Sequence, residues 1–363
     1  MATLARREFL AACAASTLLP QLTFAADTQN EVSWLAEVQT APKQLPSSVA
    51  HLRVTDRNGK PITTLEQWQQ ERDSIRKWWL DFLGPMPANR DRVPKLEVIE
   101  EDRDAGVLRQ RVCYEVEPGV TTEAYVLQPL QPAAKCPGVA VFHSTVDHSI
   151  RQPAGVEGKP EKAFGLKLAQ RGCVTISPRN YLWPTNEKIA AQPEADRFHQ
   201  RHPSSTGMAR MLHDSLVAVD ILCSLPHVDT SRIGSIGHSL GAKEVLYLAA
   251  FDERVKVTIS SEGGVGTKFS NWNADWYLGK GIDSPNFTRE QHELLALAAP
   301  RPFLLIGGDS ADGDQSWPFI EAALPIYKLY GEPAHLGLFN HRQGHAVPPI
   351  AEQRIYEWFD AYL

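Results

Sequence analysis

The middle of the chain begins with two segments in which apolar and polar residues alternate. They cover residues 107–116 and 122–130, and Glu117-Pro118-Gly119 stands between them. Alternation with a period of two is typical of half-buried strands, and proline and glycine between two such runs indicate a turn. We therefore predict an antiparallel hairpin over these residues.

Short apolar runs then alternate with amphipathic segments as far as the C-terminus. The pattern predicts strands at 138–142, 174–177, 232–236, 255–260, 303–307 and 336–339. It predicts helices at 161–171, 205–224, 240–251, 316–330 and 350–362. Short apolar strands separated by helices favour a parallel sheet that is covered on both faces. The predicted fold class is α/β, with a mostly parallel central sheet and a leading β-hairpin.

Before the hairpin, one segment has a clear helical period. Trp68, Ile75, Trp79 and Phe82 share one face of residues 66–83, which predicts an amphipathic helix. The chain is expected to divide into a signal segment at 1–26, an N-terminal arm and helix at 27–104, and an α/β domain at 105–363 with a lid insertion at 263–298.

The first residues have the pattern of an export signal. Arg6-Arg7 precedes an apolar run at 11–19, and the small residues Ala25 and Ala26 follow it. A twin arginine before a short apolar run is typical of twin-arginine export, and the run is too short to span a bilayer. A lipoprotein box ending at Cys13 is the alternative, but it leaves little apolar sequence before the cysteine. We expect an exported protein, periplasmic or secreted, without a membrane span.

Composition limits the partners. The chain has 363 residues, of which 43% are hydrophobic and 22% charged, as in ordinary globular proteins. Its net charge of -6 provides no basic field for a phosphate backbone, so we expect no nucleic-acid partner. The cysteines beyond the signal include no C-x-x-C pair, and we expect neither a metal nor another cofactor.

The sequence Gly237-His238-Ser239-Leu240-Gly241 has the pattern G-x-S-x-G. It lies where the predicted strand 232–236 gives way to the predicted helix 240–251. In that context the serine sits on a strained strand-to-helix turn, where glycines two residues away on each side avoid steric overlap. Ser239 is the predicted nucleophile.

A serine hydroxyl needs a base, and a histidine after the last strand is the usual source. His345 follows the predicted strand 336–339 by a short loop, and Gly344 allows the chain to turn before it. We predict that His345 is the general base. His341, in the same loop, is the alternative.

The acid that orients this histidine has three candidates. Asp312 follows the predicted strand 303–307, which fits the usual chain order of serine, acid and histidine. Glu262 follows the preceding strand, and Asp314 lies two residues beyond Asp312. Position favours Asp312 as the acid, with Glu262 and Asp314 as alternatives.

Donors for the developing oxyanion are expected on both sides of the nucleophile. The backbone N–H of Leu240 is one, and Ser144 or Thr145, after the strand 138–142, supplies the other. We expect the neighbouring His143 and His238 to line the substrate pocket.

Together these motifs resemble those of the α/β-hydrolase superfamily, in particular its acetyl xylan esterases and dienelactone-hydrolase-related members. The resemblance covers about residues 107–363. In the dienelactone hydrolases the nucleophile is a cysteine, whereas Ser239 stands in that position here. The resemblance therefore implies ester hydrolysis through a serine.

The chain also resembles the glucuronoyl esterases in part. Their motif reads G-x-S-R-x-G-K, and their acid can follow the next strand. Lys243 and Glu262 match this pattern, which implies that Lys243 contacts the substrate, but Leu240 stands where that family has arginine.

The preferred function is a serine carboxylic ester hydrolase that removes acetyl or similar acyl groups from carbohydrate esters. Trp272 and Trp276, in the insertion 263–298, are expected to stack on sugar rings or to close a lid. The alternatives are a glucuronoyl esterase, a serine peptidase of the same fold and an inactive binding protein. An oligosaccharide ester or a small ester is the expected partner.

Replacement of Arg6 and Arg7 by lysine is expected to retain the precursor in the cytoplasm of a bacterial host, because the arginine pair is the recognised signal. Immunoblots of periplasmic and cytoplasmic fractions measure the distribution. The matched control is Arg92→Lys, beyond the signal. An unchanged periplasmic yield of the double variant would contradict the twin-arginine route.

Overall fold

The computed structural model describes residues 31–43, 45, 51–184 and 188–363. The signal segment 1–26 lies outside them. The described residues form one nine-stranded sheet. Its strands are β1 Glu97–Asp104, β2 Val107–Glu117, β3 Val120–Pro129, β4 Cys136–Phe142, β5 Val174–Pro178, β6 Val228–His238, β7 Val255–Ser261, β8 Phe303–Gly307 and β9 Leu336–Asn340.

The strand order is β1-β2-β3-β5-β4-β6-β7-β8-β9. Strands β1 to β3 are antiparallel, and β3 pairs antiparallel with β5. All pairs from β5 to β9 are parallel. The predicted α/β class with a leading hairpin is confirmed.

Nine α-helices surround the sheet within the described ranges. They are α1 Leu35–Val38, α2 Leu65–Leu83, α3 Phe164–Gln170, α4 Ala191–Arg201, α5 Gly207–Ser224, α6 Leu240–Phe251, α7 His292–Ala298, α8 Trp317–Lys328 and α9 Pro349–Tyr362. None of these described helices is long and apolar enough to cross a membrane.

The sheet separates two hydrophobic cores. In β4, Val139 and Val141 belong to the core under α1, α3 and α9, whereas Ala140 and Phe142 belong to the core under α2 and α5 to α8. Successive side chains of a strand point to opposite faces. The continuous apolar runs of the parallel strands therefore serve both cores, and the carboxyl ends of these strands meet along one edge of the sheet.

The two outer strands of the sheet, β1 and β9, differ in their surroundings. Every residue of β1 is exposed on both faces, and most of them are acidic. At the other end, α1 lies against β9: Gln39 donates a hydrogen bond to the Leu336 carbonyl at 3.1 Å, and Val38 occupies the space beside Gly337 where a Cβ would be.

Candidate active site

The nucleophile motif forms the turn that the sequence predicts. Ser239 joins β6 to α6 with a φ of +61°, a left-handed conformation that is strained for a residue with a side chain. A Cβ at Gly237 would overlap the backbone of Gly241, and a Cβ at Gly241 would overlap the Phe142 carbonyl at the end of β4. Both glycines are thus required by close packing. The half-exposed Ser239 is held by its N–H, which donates to the Ser261 carbonyl at 2.8 Å.

Glu262, and not Asp312, lies against the predicted base. His345 Nδ1 is 3.1 Å from Glu262 Oε2. The Glu262 side chain has no exposed surface, whereas 41% of the His345 side chain is exposed. The carboxylate also accepts hydrogen bonds from the N–H groups of Gly308 and Ala311. Because the carboxylate is an acceptor, His345 carries its hydrogen on Nδ1, and its Nε2 keeps a free lone pair.

The expected pairing of Asp312 with His345 is not found. The buried Asp312 carboxylate accepts hydrogen bonds from the N–H groups of Gly264 and Val265, at 2.7 and 2.8 Å, and from the Ser316 hydroxyl at 2.7 Å. The loop after β8 closes on itself through the Asp312 carbonyl, which directs this side chain away from the base. Burial raises the pKa of Asp312, while these donors oppose that rise.

Asp314 likewise does not reach the base. It forms an ion pair with Arg342 at 2.6 Å and accepts a hydrogen bond from the Asn340 side chain at 2.8 Å. Both partners belong to β9 or to the loop after it. Asp314 therefore ties the loop of His345 to the loop after β8.

His341 has the structural role that a loop histidine would have. Its ring is buried, and its Nδ1 accepts a hydrogen bond from the Gln343 N–H at 3.1 Å. Burial lowers the pKa of His341. The carboxylate of Glu262 contacts His345 rather than this alternative base.

The predicted oxyanion donors flank the nucleophile in the fold. Leu240 is the first residue of α6, whose N-terminus carries the positive end of the helix dipole. Ser144 is buried and Thr145 is exposed, in the loop that leaves β4 beside Gly241. Their role toward the oxyanion stays a prediction.

His143 supports this loop from the interior of the protein. It is 1% exposed, its Nδ1–H donates to the Ser144 carbonyl at 2.8 Å, and its Nε2 accepts from the Asn180 N–H at 3.1 Å. Trp183 packs edge-on against the ring. Burial lowers the pKa of His143 to about 4, so the imidazole is neutral. The expectation of substrate contact is corrected, because both ring nitrogens already bond to backbone.

His238 is also buried, but it lies beside the base. Its ring centroid is 4.7 Å from that of His345. Its Nδ1 is 3.0 Å from Ser261 Oγ, and its Nε2 is 2.9 Å from Lys162 Nζ. No motif marks Lys162, which falls in the predicted helix 161–171 but in the structure lies in a short turn before α3.

Trp272 and Lys243 belong to the interior. Trp272 is fully buried, donates its indole N–H to the Gly264 carbonyl at 2.7 Å and packs on Tyr247. Lys243 Nζ lies 3.9 Å from the centroid of the Trp272 ring and donates to Ser270 Oγ at 2.6 Å. Burial lowers the pKa of Lys243 to about 7. Trp272 is therefore a core residue, which corrects the expectation that it stacks on sugar.

The insertion 263–298 as a whole is packed into the protein. It contributes α7 and a set of buried apolar side chains to the larger core, namely Val265, Trp272, Tyr277, Leu278 and Ile282. Trp276 is half-buried, and its carbonyl accepts a hydrogen bond from the Tyr181 hydroxyl. A stretch with this much buried surface does not have the character of a free lid.

Comparisons with known proteins agree with this architecture. A family model described as dienelactone hydrolase family matches residues 122–276. "Putative hydrolase YtaP" of Bacillus subtilis is 25% identical over 243 residues, covering 64% of this chain and 79% of its own length. A 4-O-methyl-glucuronoyl methylesterase of Phanerochaete carnosa is 27% identical over 185 residues, which cover 40% of this chain and 43% of that protein.

Solved structures share the fold over most of the chain. A glucuronoyl esterase from Solibacter usitatus superposes with a TM-score of 0.65 and 16% identity, over 88% of this chain and 98% of its own. The chain has the α/β-hydrolase fold.

The neutral state of His143 makes the stability depend on pH. The pKa of His143 is near 6.5 in the unfolded chain and about 4 in the folded protein. Between pH 6.5 and 4 the unfolded chain therefore binds more protons than the folded protein, and the free energy of unfolding decreases as the pH falls through this range. His143→Gln is expected to reduce stability at pH 7 but to flatten this loss by up to about 1.4 kcal/mol per pH unit. Urea denaturation at pH 7, 6, 5 and 4.5 measures it.

The exposed His51→Gln is the matched control and is expected to follow the wild-type pH dependence. An identical slope for His143→Gln and wild type between pH 6 and 4.5 would refute the assignment.

Proposed function

We propose that this serine hydrolase of the α/β-hydrolase fold cleaves carboxylic esters of carbohydrates, with Ser239 as nucleophile, His345 as general base and Glu262 as acid. The observation that carries the proposal is the contact of the buried Glu262 carboxylate with His345 Nδ1. Both residues follow the carboxyl ends of parallel strands, as does the strained turn at Ser239. A nucleophile turn, a base and an orienting carboxylate are the parts that acyl transfer requires.

The reaction proceeds in two steps. Ser239 Oγ forms a bond to the ester carbonyl carbon while its proton moves to His345 Nε2. The tetrahedral intermediate then expels the alcohol, which takes this proton and leaves an acyl group on Ser239. Water attacks the acyl-enzyme with the same assistance from His345, and the acid product and free Ser239 are released.

Glu262 suits the role of acid because its surroundings fix its geometry. The Gly308 N–H donates to Oε1 and the Ala311 N–H to Oε2, and Oε2 also faces His345 Nδ1. During the reaction the imidazole becomes an imidazolium, which a buried carboxylate in direct contact stabilises strongly. The N–H of Leu240 and one from Ser144 or Thr145 are the proposed donors to the oxyanion.

The position of the acid bears on the substrate. An acid after β7 together with Lys243 follows the glucuronoyl-esterase pattern, and the relatives named above include two glucuronoyl esterases. This favours a glucuronate ester as the first substrate to test. Leu240 in place of the arginine of that pattern, and the burial of Lys243, keep acetyl esters of carbohydrates as the second candidate.

We further propose that the enzyme acts outside the cytoplasm after export through the twin-arginine signal at Arg6-Arg7. Polysaccharide esters are substrates that an exported enzyme meets.

Ser239→Ala is expected to abolish hydrolysis of both a methyl glucuronate ester and acetylated xylooligosaccharides, by at least about a thousandfold, since the attacking oxygen is removed. The exposed Ser231→Ala is the control and is expected to retain full activity. Labelling with a fluorophosphonate, followed by peptide mass spectrometry, is expected to find Ser239 modified. A wild-type protein that hydrolyses neither substrate and is not labelled would refute the function.

Glu262→Gln and Asp312→Asn separate the two carboxylates. Glu262→Gln is expected to lower kcat/KM by at least roughly a hundredfold, because the charge that stabilises the imidazolium is lost. Asp312→Asn places an NH2 group against backbone donors and is expected to cost about 1–3 kcal/mol of stability while the folded fraction keeps most of its turnover.

Steady-state kinetics together with thermal denaturation of each variant distinguish these outcomes. A larger loss of kcat in fully folded Asp312→Asn than in Glu262→Gln would return the role of acid to Asp312.

A further inference from the structure

Lys162 is a half-buried lysine at the end of the short 3-10 turn Pro160–Lys162, just before α3. Its Nζ lies 2.9 Å from His238 Nε2 and 3.4 Å from the backbone carbonyl of His345. Among the described residues, no carboxylate lies within ion-pair distance of this ammonium. One cation therefore joins the residue before the nucleophile to the residue proposed as base.

The contact determines the tautomer of His238. An ammonium group can only donate, so His238 Nε2 is the acceptor, and the ring hydrogen lies on Nδ1. From there it points to Ser261 Oγ, 3.0 Å away. Ser261 in turn accepts the Ser239 N–H through its carbonyl. The chain of contacts runs from Lys162 through His238 to the strand that supports the nucleophile.

We infer that Lys162 is a positioning residue of the proposed triad: it fixes the tautomer of His238 and holds the backbone of His345 beside that ring. The inference rests on the proposed function, because it assigns a role around that same site. Lys162 contacts no reacting atom of the proposed mechanism and acts through the two histidines.

Several charged or titratable groups lie near the imidazoles of His238 and His345. Glu262 faces His345, His341 lies in the same loop, and Lys159 and Glu161 flank Lys162. Burial, followed by the charge of Lys162, holds the pKa of His238 well below its usual range.

Lys162 is thus a cation in direct contact with the His238 ring, whose centroid lies 4.7 Å from that of His345. A nearby positive charge disfavours the protonated form of an imidazole, so we expect removal of Lys162 to move the acid limb of kcat/KM to higher pH.

The test compares Lys162→Met, Lys162→Arg and Lys159→Met, the last being an exposed lysine three residues away. Hydrolysis of p-nitrophenyl acetate is followed between pH 5 and 9. Lys162→Met is expected to lower kcat about tenfold with little change in KM, because the lost alignment of the two histidines outweighs the electrostatic effect of removing the charge. It is also expected to raise the midpoint of the acid limb by at least about 0.5 pH unit. Lys162→Arg is expected to keep the wild-type midpoint of the acid limb, and Lys159→Met is expected to match wild type in both kcat and midpoint.

A second measurement does not depend on turnover. In Ser239→Ala with 13C-labelled histidine, NMR titration is expected to show that His238 stays neutral down to a lower pH than in the same protein carrying Lys162→Met. If wild type neither hydrolyses the ester nor reacts with a fluorophosphonate, the proposed function fails, and this titration still decides the role of Lys162.

Three results would overturn the inference. One is a Lys162→Met variant with wild-type kcat and midpoint. Another is an equal shift in Lys162→Met and Lys159→Met, which would reflect general surface charge. The third is a loss of thermal stability in Lys162→Met with unchanged pH profile and unchanged histidine titration, which would mean a purely structural role.

Discussion

A carboxylate removed from water must be surrounded by donors, and Glu262 imposes this requirement on two loops at once. The loop after β8 supplies two backbone N–H groups, and the loop after β9 supplies His345. Asp312 imposes the converse requirement, because it draws its backbone donors from the residues that follow Glu262. The loop after β8 thus donates hydrogen bonds to Glu262 of the loop after β7, and the loop after β7 donates hydrogen bonds to Asp312 of the loop after β8. This exchange holds the three strand ends in one arrangement, to which the Asp314–Arg342 ion pair is added.

Much of this fold could be predicted from the sequence, because period and composition reflect burial directly. The parallel strands are continuous apolar runs since both of their faces are covered, and the turn at Ser239 is marked by glycines that close packing demands. Strand β1 could not be predicted in the same way. It has no apolar face, and only backbone pairing with β2 makes it a strand.

The choice between the two acids shows where sequence reasoning ends. Glu262 and Asp312 each follow a strand of the same sheet edge, and spacing along the chain says nothing about the direction of the side chain. That direction depends on backbone dihedrals, here a φ of +57° at Glu262 and a turn that closes on the Asp312 carbonyl. The burial of Trp272 and His143 could not be predicted either, because the sequence alone does not show whether an aromatic residue or a histidine in a loop faces solvent or the core.

The two ends of the sheet also bear on how the protein behaves among other chains. An edge strand is a template for foreign strands, since its outward N–H and C=O groups have no partners. At β9 the segment around α1 covers this row, with the Gln39 amide already bonded to the Leu336 carbonyl. Among the described residues, no strand pairs with the outer side of β1. Five of its eight residues are acidic, and although three of them pair with Arg109 and Arg111 of β2, a second copy would bring the other two like charges together. One edge is thus shielded by covalently attached chain and the other by electrostatic repulsion, so the described fold resists edge-to-edge aggregation at both ends.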